Sequence, residues 1–193
     1  MGAKTLLSFA IVLAGSVMAL AAPGLSPGSV QGNKSQRPSP PAHADCKFQD
    51  GATINVDYSS PRMKGRKVYG ELVPLGKVWR AGANEATTFV VSNAVHIGSA
   101  ANGLDVPAGS YTLFVIPNKP APWTLIVSKK TGEWGIPYPG DQFDLGRTEM
   151  GKESLPSEVE NFTIDFVHAG DDACMLAMRW ETTGANAKII EKK

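Results

Sequence analysis

Residues 174–181, with the sequence CMLAMRWE, indicate the fold class of this chain. Side chains of a β-strand point alternately to its two faces. The four residues at even positions are apolar and would share one face, whereas Arg179 and Glu181 fall on the other. Residues 53–58 (TINVDY) and 161–166 (NFTIDF) alternate in the same way. Each of the three stretches therefore predicts a β-strand with one buried face.

The rest of the chain after residue 45 extends this β pattern. Six further stretches favour strands: residues 87–92, 95–98, 110–116, 123–128, about 143–150 and 187–190. Turn-forming dipeptides separate them, and no stretch keeps a helical period. We therefore predict one all-β domain over residues 45–193, an antiparallel β-sandwich or jelly-roll-like fold of about eight or nine strands.

The N-terminal residues resemble an export signal. Lys4 precedes an apolar stretch, residues 5–21, which ends in Ala19-Leu20-Ala21. This small-x-small pattern is typical of a signal-peptidase site, so we predict that residues 1–21 are a cleaved signal peptide. An uncleaved membrane anchor is the alternative. After cleavage we expect no stable membrane insertion and a periplasmic or extracellular location.

Residues 22–44 differ in composition from the domain that follows. They contain five Pro, three Gly and four Ser, a composition that cannot bury enough apolar surface to offset the entropy of ordering. We predict a disordered tether. The whole chain has 19 basic and 18 acidic residues, and the part after residue 44 is slightly acidic. This charge gives no reason to expect nucleic acid as a partner.

The chain has two cysteines, Cys46 and Cys174, near the two ends of the predicted domain. In an oxidising compartment such a pair predicts a disulfide. Cys174 also falls on the predicted core face of its strand, which supports that pairing. Two buried free thiols are the alternative.

The sequence offers few signals of catalysis. It contains no Gly-x-Ser-x-Gly, His-Glu-x-x-His or Cys-x-x-Cys pattern, so we predict no catalytic residues, no metal site and no cofactor. Glu85 could in principle act with Asp141 or Asp144 in glycoside hydrolysis. A neighbouring arginine would keep Glu85 ionised, however, which suits an ion pair better than a general acid. These features favour a protein without catalytic activity.

Two segments without strand signals are the candidate functional surface. The longer, residues 59–86, is basic and contains aromatic side chains, and the second spans residues 131–151. Aromatic rings could stack on a sugar while the polar groups bind its hydroxyls. The predicted ligand-binding residues are Arg62, Arg66, Tyr69, Trp79, Arg80, Asn84, Glu85, Trp134 and Tyr138. We predict recognition of a carbohydrate or another ligand of the cell envelope.

Two alternatives for this surface stay open. Trp79 could fill the end of the core while Arg80 and Glu85 form a structural ion pair. The domain would then serve as a structural or protein-binding domain of the envelope, using a sheet edge or face. Trp123 and Trp180 lie in predicted strands and are assigned to the core.

Four parts of the chain resemble one bacterial family. They are residues 60–89 (SPRMKGRKVYGELVPLGKVWRAGANEATTF), 106–117 (VPAGSYTLFVIP), 160–166 (ENFTIDF) and 174–181. The chain resembles the family called domain of unknown function 2911. The resemblance implies a secreted or periplasmic β-rich domain, and it carries no catalytic residues with it.

Overall fold

The computed structural model describes residues 1–2 and 34–193 of the chain. Most of the predicted signal peptide and residues 22–33 of the predicted tether lie outside the described residues. No helix among the residues described is long and apolar enough to cross a membrane.

The described part of the chain folds into nine antiparallel strands in one sheet. The strands are β1 Pro41–Lys47, β2 Thr53–Ser59, β3 Thr87–Val91, β4 Val95–Ile97, β5 Leu104–Val106, β6 Gly109–Ile116, β7 Trp123–Ser128, β8 Asp144–Gly170 and β9 Ala173–Glu191. Their order in the sheet is β1-β2-β3-β6-β7-β8-β9-β4-β5. Short 3₁₀ turns occur at Lys34–Gln36 and Asp141–Phe143.

The long strand β8 joins the two parts of this sheet. Its residues 144–150 pair with β7, and its residues 151–170 pair with β9. The two parts enclose one apolar core. Across that core, the Tyr58 hydroxyl of β2 lies 3.3 Å from the carbonyl oxygen of Ile164 in β8. The predicted all-β antiparallel fold is confirmed, while the jelly-roll variant stays a prediction.

The strands predicted from alternation are present, and the structure adds others. The additions are β1, β5 and the middle of β8, residues 151–160. That part of β8 is mostly exposed and contains Pro156, so it shows no alternation that a sequence pattern could detect. β1 begins at Pro41, so residues 41–44 of the predicted tether belong to the sheet. Backbone pairing with β2 holds them, an interaction that composition does not reveal.

The predicted disulfide is confirmed. Cys46 in β1 is joined to Cys174 in β9, with 6.6 Å between their Cα atoms and a sequence separation of 128. Both side chains are buried. In the chain-entropy model a loop of this length contributes roughly 4–5 kcal/mol to stability. The bridge connects strands that are far apart in the sheet order, and it therefore closes the fold around its core.

Candidate functional site

The long segment of residues 59–86 begins at the last residue of β2, ends before β3 and is hydrogen-bonded to the sheet near both of its ends. Near its start, the Phe162 N–H of β8 donates to the Pro61 carbonyl at 2.8 Å. Near its end, Trp79 and Val115 of β6 exchange two backbone hydrogen bonds of 2.8 Å. We call residues 59–86 the β2–β3 loop. The start of the loop pairs with β8 and its end pairs with β6. The residues of the loop are therefore spread over different parts of the protein surface.

Trp79 lies largely in the core rather than on a binding surface. Its ring centroid is 4.9 Å from that of Phe162 and 5.9 Å from that of Trp180, which it stacks on. The indole N–H donates to the Gly82 carbonyl at 3.1 Å. These contacts favour the alternative in which Trp79 fills the end of the core.

Glu85 pairs with the N-terminal segment and not with Arg80. Its two carboxylate oxygens lie 2.9 and 2.8 Å from Nη1 of Arg37, and Lys34 Nζ is 3.3 Å away. The hydrogen bond from Arg37 is the main cause that lowers the pKa of Glu85 from 4.5 to about 2. Beside it, the Asn84 amide donates to the Ser39 carbonyl at 2.9 Å. The expected Arg80–Glu85 pair is therefore replaced, since ordered residues before β1 supply the cations.

These contacts border a cavity of roughly 270 Å³ on the outer side of β2 and β3. The charged residues around it are Lys34, Arg37, Asp57, Glu85 and Glu133. Glu133 in turn lies 3.7 Å from Lys130. We call this region the Glu85 cavity.

Arg80 contacts the second candidate segment. Its Nη1 donates to the Trp134 carbonyl at 2.9 Å, and its guanidinium lies 5.5 Å from the centroid of the Trp134 ring. Trp134 is 53% exposed and the neighbouring Ile136 is 65% exposed. Arg80 and Trp134, two predicted site residues, are therefore brought together as a cation–π pair at the surface.

Tyr138 belongs to a closed network of hydrogen bonds. Its hydroxyl donates to Asp144, and Arg147 binds Asp144 at 2.8 Å and Asp141 at 2.6 Å. Burial, followed by the bond to Asp144, raises the pKa of Tyr138 to about 12. Asp141, Asp144 and Glu85 are thus all engaged with cations. The hydrolase hypothesis would need Glu85 as a protonated general acid, and its lowered pKa does not suit that role.

Tyr69 lies at a different position and lacks a partner for its polar atom. Its ring meets that of Trp123 edge-on, with 4.9 Å between the centroids. Its hydroxyl oxygen is buried and has no hydrogen-bond partner in the described part of the chain. Burial, with a smaller contribution from the charge of Glu181, raises the pKa of Tyr69 above its ordinary value. Such a buried polar group without a partner is rare in folded proteins.

Tyr69 and Trp123 line a polar pocket of roughly 330 Å³, which we call the Tyr69 pocket. Its charged and polar side chains come from the β2–β3 loop, the β6–β7 turn, β8 and β9. They are Lys67, Asn118, Lys119, Lys152, Glu181, Thr182 and Thr183. Three lysines and one acidic residue therefore line the pocket, beside two aromatic rings.

The pocket lies beside an irregular part of the β8–β9 pairing. The register shifts between Ser154, which faces Thr183, and Val159, which faces Glu181. Glu181 itself has a φ of 55°, an unusual conformation for a residue other than glycine. Its Oε1 lies 3.4 Å from the backbone N of Val68 in the β2–β3 loop. Bulges of this kind often occur beside functional sites because they redirect side chains.

A family model described as a protein of unknown function, DUF2911, matches residues 39–189 of the chain. The chain belongs to the DUF2911 family. This result confirms the family resemblance in the sequence. No curated protein and no solved structure matches the chain. The DUF2911 match begins two residues before β1 and includes every residue that lines the Tyr69 pocket.

The remaining predicted residues of the DUF2911 domain shape the β2–β3 loop. Arg66 donates from Nε to the Met63 carbonyl and from Nη2 to the Arg62 carbonyl, both at 2.9 Å. Arg62 is exposed and pairs through its backbone with Asn161. The nine predicted residues therefore do not form one site. Arg62 and Arg66 shape the loop, Trp79 packs on the core, and Asn84 and Glu85 border the Glu85 cavity. Arg80 lies beside Trp134 and Ile136, which we call the Trp134 surface, Tyr138 is bonded in the network of Asp144 and Arg147, and Tyr69 lines its own pocket.

Sequence reasoning missed most of the Tyr69 pocket. Trp123 was assigned to the core and is almost fully buried, yet it also lines this pocket. Lys119, Lys152 and Glu181 were not singled out. They belong to three separate elements, and no spacing in the sequence could have connected them.

The histidines of the DUF2911 domain have local partners. His43 Nδ1 lies 2.8 Å from Asp57, and His96 lies 2.7 Å from Asp105 and 3.0 Å from the Ser99 carbonyl. The Asp105 hydrogen bond is the main cause that raises the pKa of His96. His168 Nδ1 is 3.9 Å from Cys46 Sγ. Cys46, His168 and Cys174 resemble a metal-ligand set in their spacing, but both sulfurs are joined in the disulfide.

Proposed function

We propose that this DUF2911 protein is an exported, non-catalytic domain that binds a carbohydrate or a similar polyhydroxylated ligand of the cell envelope in the Tyr69 pocket. The observation that carries the proposal is the buried Tyr69 hydroxyl without a hydrogen-bond partner. A buried polar group left unpaired costs about 1–3 kcal/mol of stability. A shift of the β2–β3 loop that opens this hydroxyl to the pocket would let a ligand supply the missing hydrogen bond and recover that free energy on binding.

The lining of the Tyr69 pocket suits such a ligand. Binding pockets of small molecules occupy about 300–1,000 Å³ and combine apolar walls with a few convergent polar groups. This pocket lies at the lower end of that range and offers hydroxyl groups from Thr182 and Thr183. The Asn118 amide nitrogen already donates to the Pro122 carbonyl at 3.0 Å, which leaves its carbonyl oxygen to accept from a ligand hydroxyl.

Export is supported by two features of the chain. The Cys46–Cys174 disulfide is typical of proteins in oxidising compartments. Residues 1–21 carry the charge, apolar length and small-residue pattern of a signal peptide. We therefore infer that the domain works in the periplasm or outside the cell.

One observation favours a protein partner as the second candidate. Trp134 and Ile136 expose 53% and 65% of their surface in the same segment. Exposed large apolar side chains close together are typical of contact surfaces between proteins. This candidate uses the Trp134 surface and leaves the Tyr69 pocket without a role.

The proposal is tested by measuring how sugars bind to the full mature chain, with tryptophan fluorescence and isothermal titration calorimetry as the two methods. The probes are glucose, galactose and their uronic acids. We expect at least one of these sugars to bind, and Tyr69→Phe to weaken that binding by about tenfold, the effect of losing one hydrogen bond to a ligand. The ring and its contact with Trp123 remain in this variant.

The matched control is Tyr138→Phe, which removes a hydroxyl outside the pocket that is already bonded to Asp144. It should leave the affinity unchanged. Failure of all four sugars to bind, or equal affinity in wild type and Tyr69→Phe, would contradict the proposed function.

A further inference from the structure

We propose that the ligand of the Tyr69 pocket is an acidic sugar, that is, a hydroxylated ring carrying a carboxylate or phosphate group. This inference rests on the proposed function and adds the charge of the ligand to it. Lys67, Lys119 and Lys152 line the pocket together with one acidic residue, Glu181. The pocket therefore presents an excess of positive charge although the whole chain is nearly neutral.

The lysines of the pocket are largely uncompensated. Lys119 and Lys152 form no ion pair with a carboxylate among residues 34–193. Lys67 has only a long contact of 3.9 Å with Glu71 on the exposed loop. Elsewhere in the same sheet, by contrast, Arg179 is bound by both Glu153 and Asp165. Ammonium groups around a concave pocket attract an anion because their electrostatic fields add inside the pocket.

Glu181 supplies one negative charge against the three lysines, so the lining keeps an excess of positive charge. Its Oε1 faces the backbone N of Val68 at 3.4 Å, so the carboxylate also contacts the β2–β3 loop. The burial of Tyr69, and to a smaller extent the charge of Glu181, raise the pKa of its phenol and keep it protonated. The Tyr69 hydroxyl therefore stays a hydrogen-bond donor at neutral pH and suits an anionic acceptor oxygen.

The lysines come from three elements that surround the two aromatic rings. Lys67 lies in the β2–β3 loop, Lys119 in the β6–β7 turn and Lys152 in β8. Thr182 and Thr183 contribute hydroxyl groups from β9. A free inorganic anion would use the ammonium groups and the threonine hydroxyls as donors, whereas an acidic sugar would in addition donate from its own hydroxyls and contact the aromatic rings.

The experiment compares four probes by calorimetry with the full mature chain: glucuronate, glucose 6-phosphate, glucose and inorganic phosphate. We expect an acidic sugar to bind at least about tenfold more tightly than glucose and inorganic phosphate. The affinity should fall as sodium chloride is raised, because salt screens the lysines. The carboxylate and phosphate arms show which of the two acidic groups the pocket prefers.

Two variants and a control locate the effect. Lys119→Gln and Lys152→Gln should each weaken binding of the acidic sugar by about fivefold and leave the affinity for glucose unchanged. Lys129→Gln removes an exposed lysine that does not line the pocket and should change neither affinity. Unfolding temperatures of all three variants, measured in parallel, show whether any loss of binding comes from loss of fold.

The outcomes separate this inference from the proposed function. If glucose and glucuronate bind equally and both depend on Tyr69, the pocket binds sugars but the acidic preference is wrong. If inorganic phosphate binds as tightly as glucose 6-phosphate, the inference is also overturned, because the ring adds nothing. If no probe binds, both the inference and the proposed function fail.

Discussion

The Glu85 cavity and the Tyr69 pocket are both bordered by the β2–β3 loop, yet their polar groups are satisfied very differently. At the Glu85 cavity, the carboxylate is bound by Arg37 and Lys34. At the Tyr69 pocket, a buried hydroxyl lacks a partner and Lys119 and Lys152 form no ion pair in the described chain. Polar groups that serve stability are paired within the protein. This contrast supports a structural role for the end of the loop that contains Glu85 and the proposed binding role for the Tyr69 pocket.

The largest expected effect concerns the structural end. Trp79→Ala removes the ring that packs against Phe162 and Trp180. We expect the free energy of unfolding to fall by about 3 kcal/mol, the lower part of the range for such truncations, because part of the ring is exposed. Urea denaturation measures this change. A loss below about 0.5 kcal/mol would show that Trp79 is not part of the core and would weaken the contrast between the two ends.

The same substitution at two tyrosines sharpens the comparison. Tyr69→Phe removes a buried hydroxyl without a partner and should raise the stability of the ligand-free protein by about 1 kcal/mol. Tyr138→Phe removes a hydroxyl bonded to Asp144 and should lower it by about 1 kcal/mol. Thermal unfolding of both variants shows whether stability rises in Tyr69→Phe and falls in Tyr138→Phe. A loss of stability in Tyr69→Phe would mean that the protein itself satisfies this hydroxyl.

The smallest expected effect is the contribution of Glu85 to the pH dependence of folding stability. The pKa of its carboxyl is lowered in the folded chain from 4.5 to about 2, so the folded state binds this proton less readily than the unfolded state. Its stabilising contribution is therefore complete above pH 4.5 and is lost as the pH falls towards 2. The pair is exposed enough that we expect less than about 1 kcal/mol.

Glu85→Gln tests this dependence, with Arg37→Gln as the matched partner variant. Both should flatten the fall in unfolding temperature between pH 5 and pH 2 relative to wild type, and the double variant should add little to either one. Neither variant should alter sugar binding at the Tyr69 pocket. A change in that binding would show that the two ends of the loop are coupled.

Much of the sheet was predictable because many of its strands have one exposed face and one buried face. The alternation in residues 53–58 and 174–181 identified strands of the core, and Cys174 fell on the buried face as expected. β1 was missed because Pro41 and its neighbours have the composition of a linker. The middle of β8 was missed because both of its faces are polar, so its pairing with β9 leaves no apolar period.

The candidate site was predicted less well than the fold. The β2–β3 loop was identified from the sequence as a long segment without strand signals, and Tyr69 was among the chosen residues. The expected ion pair of Arg80 and Glu85 was wrong, because the partner of each comes from another segment: Trp134 for Arg80 and Arg37 for Glu85. Neighbours in sequence were taken for neighbours in space.

Local patterns in the chain were sufficient for the β class, for the pair of sulfurs and for the position of the long loop. Strand alternation depends only on residues that are close in sequence. Two cysteines allow only one disulfide pairing, so their number was enough to predict the bridge. The Tyr69 pocket depends instead on contacts between residues that are distant in sequence. Its lysines, hydroxyls and rings meet only after β8 changes partners from β7 to β9, and whether a buried hydroxyl finds a hydrogen bond is settled by atoms distant in the chain.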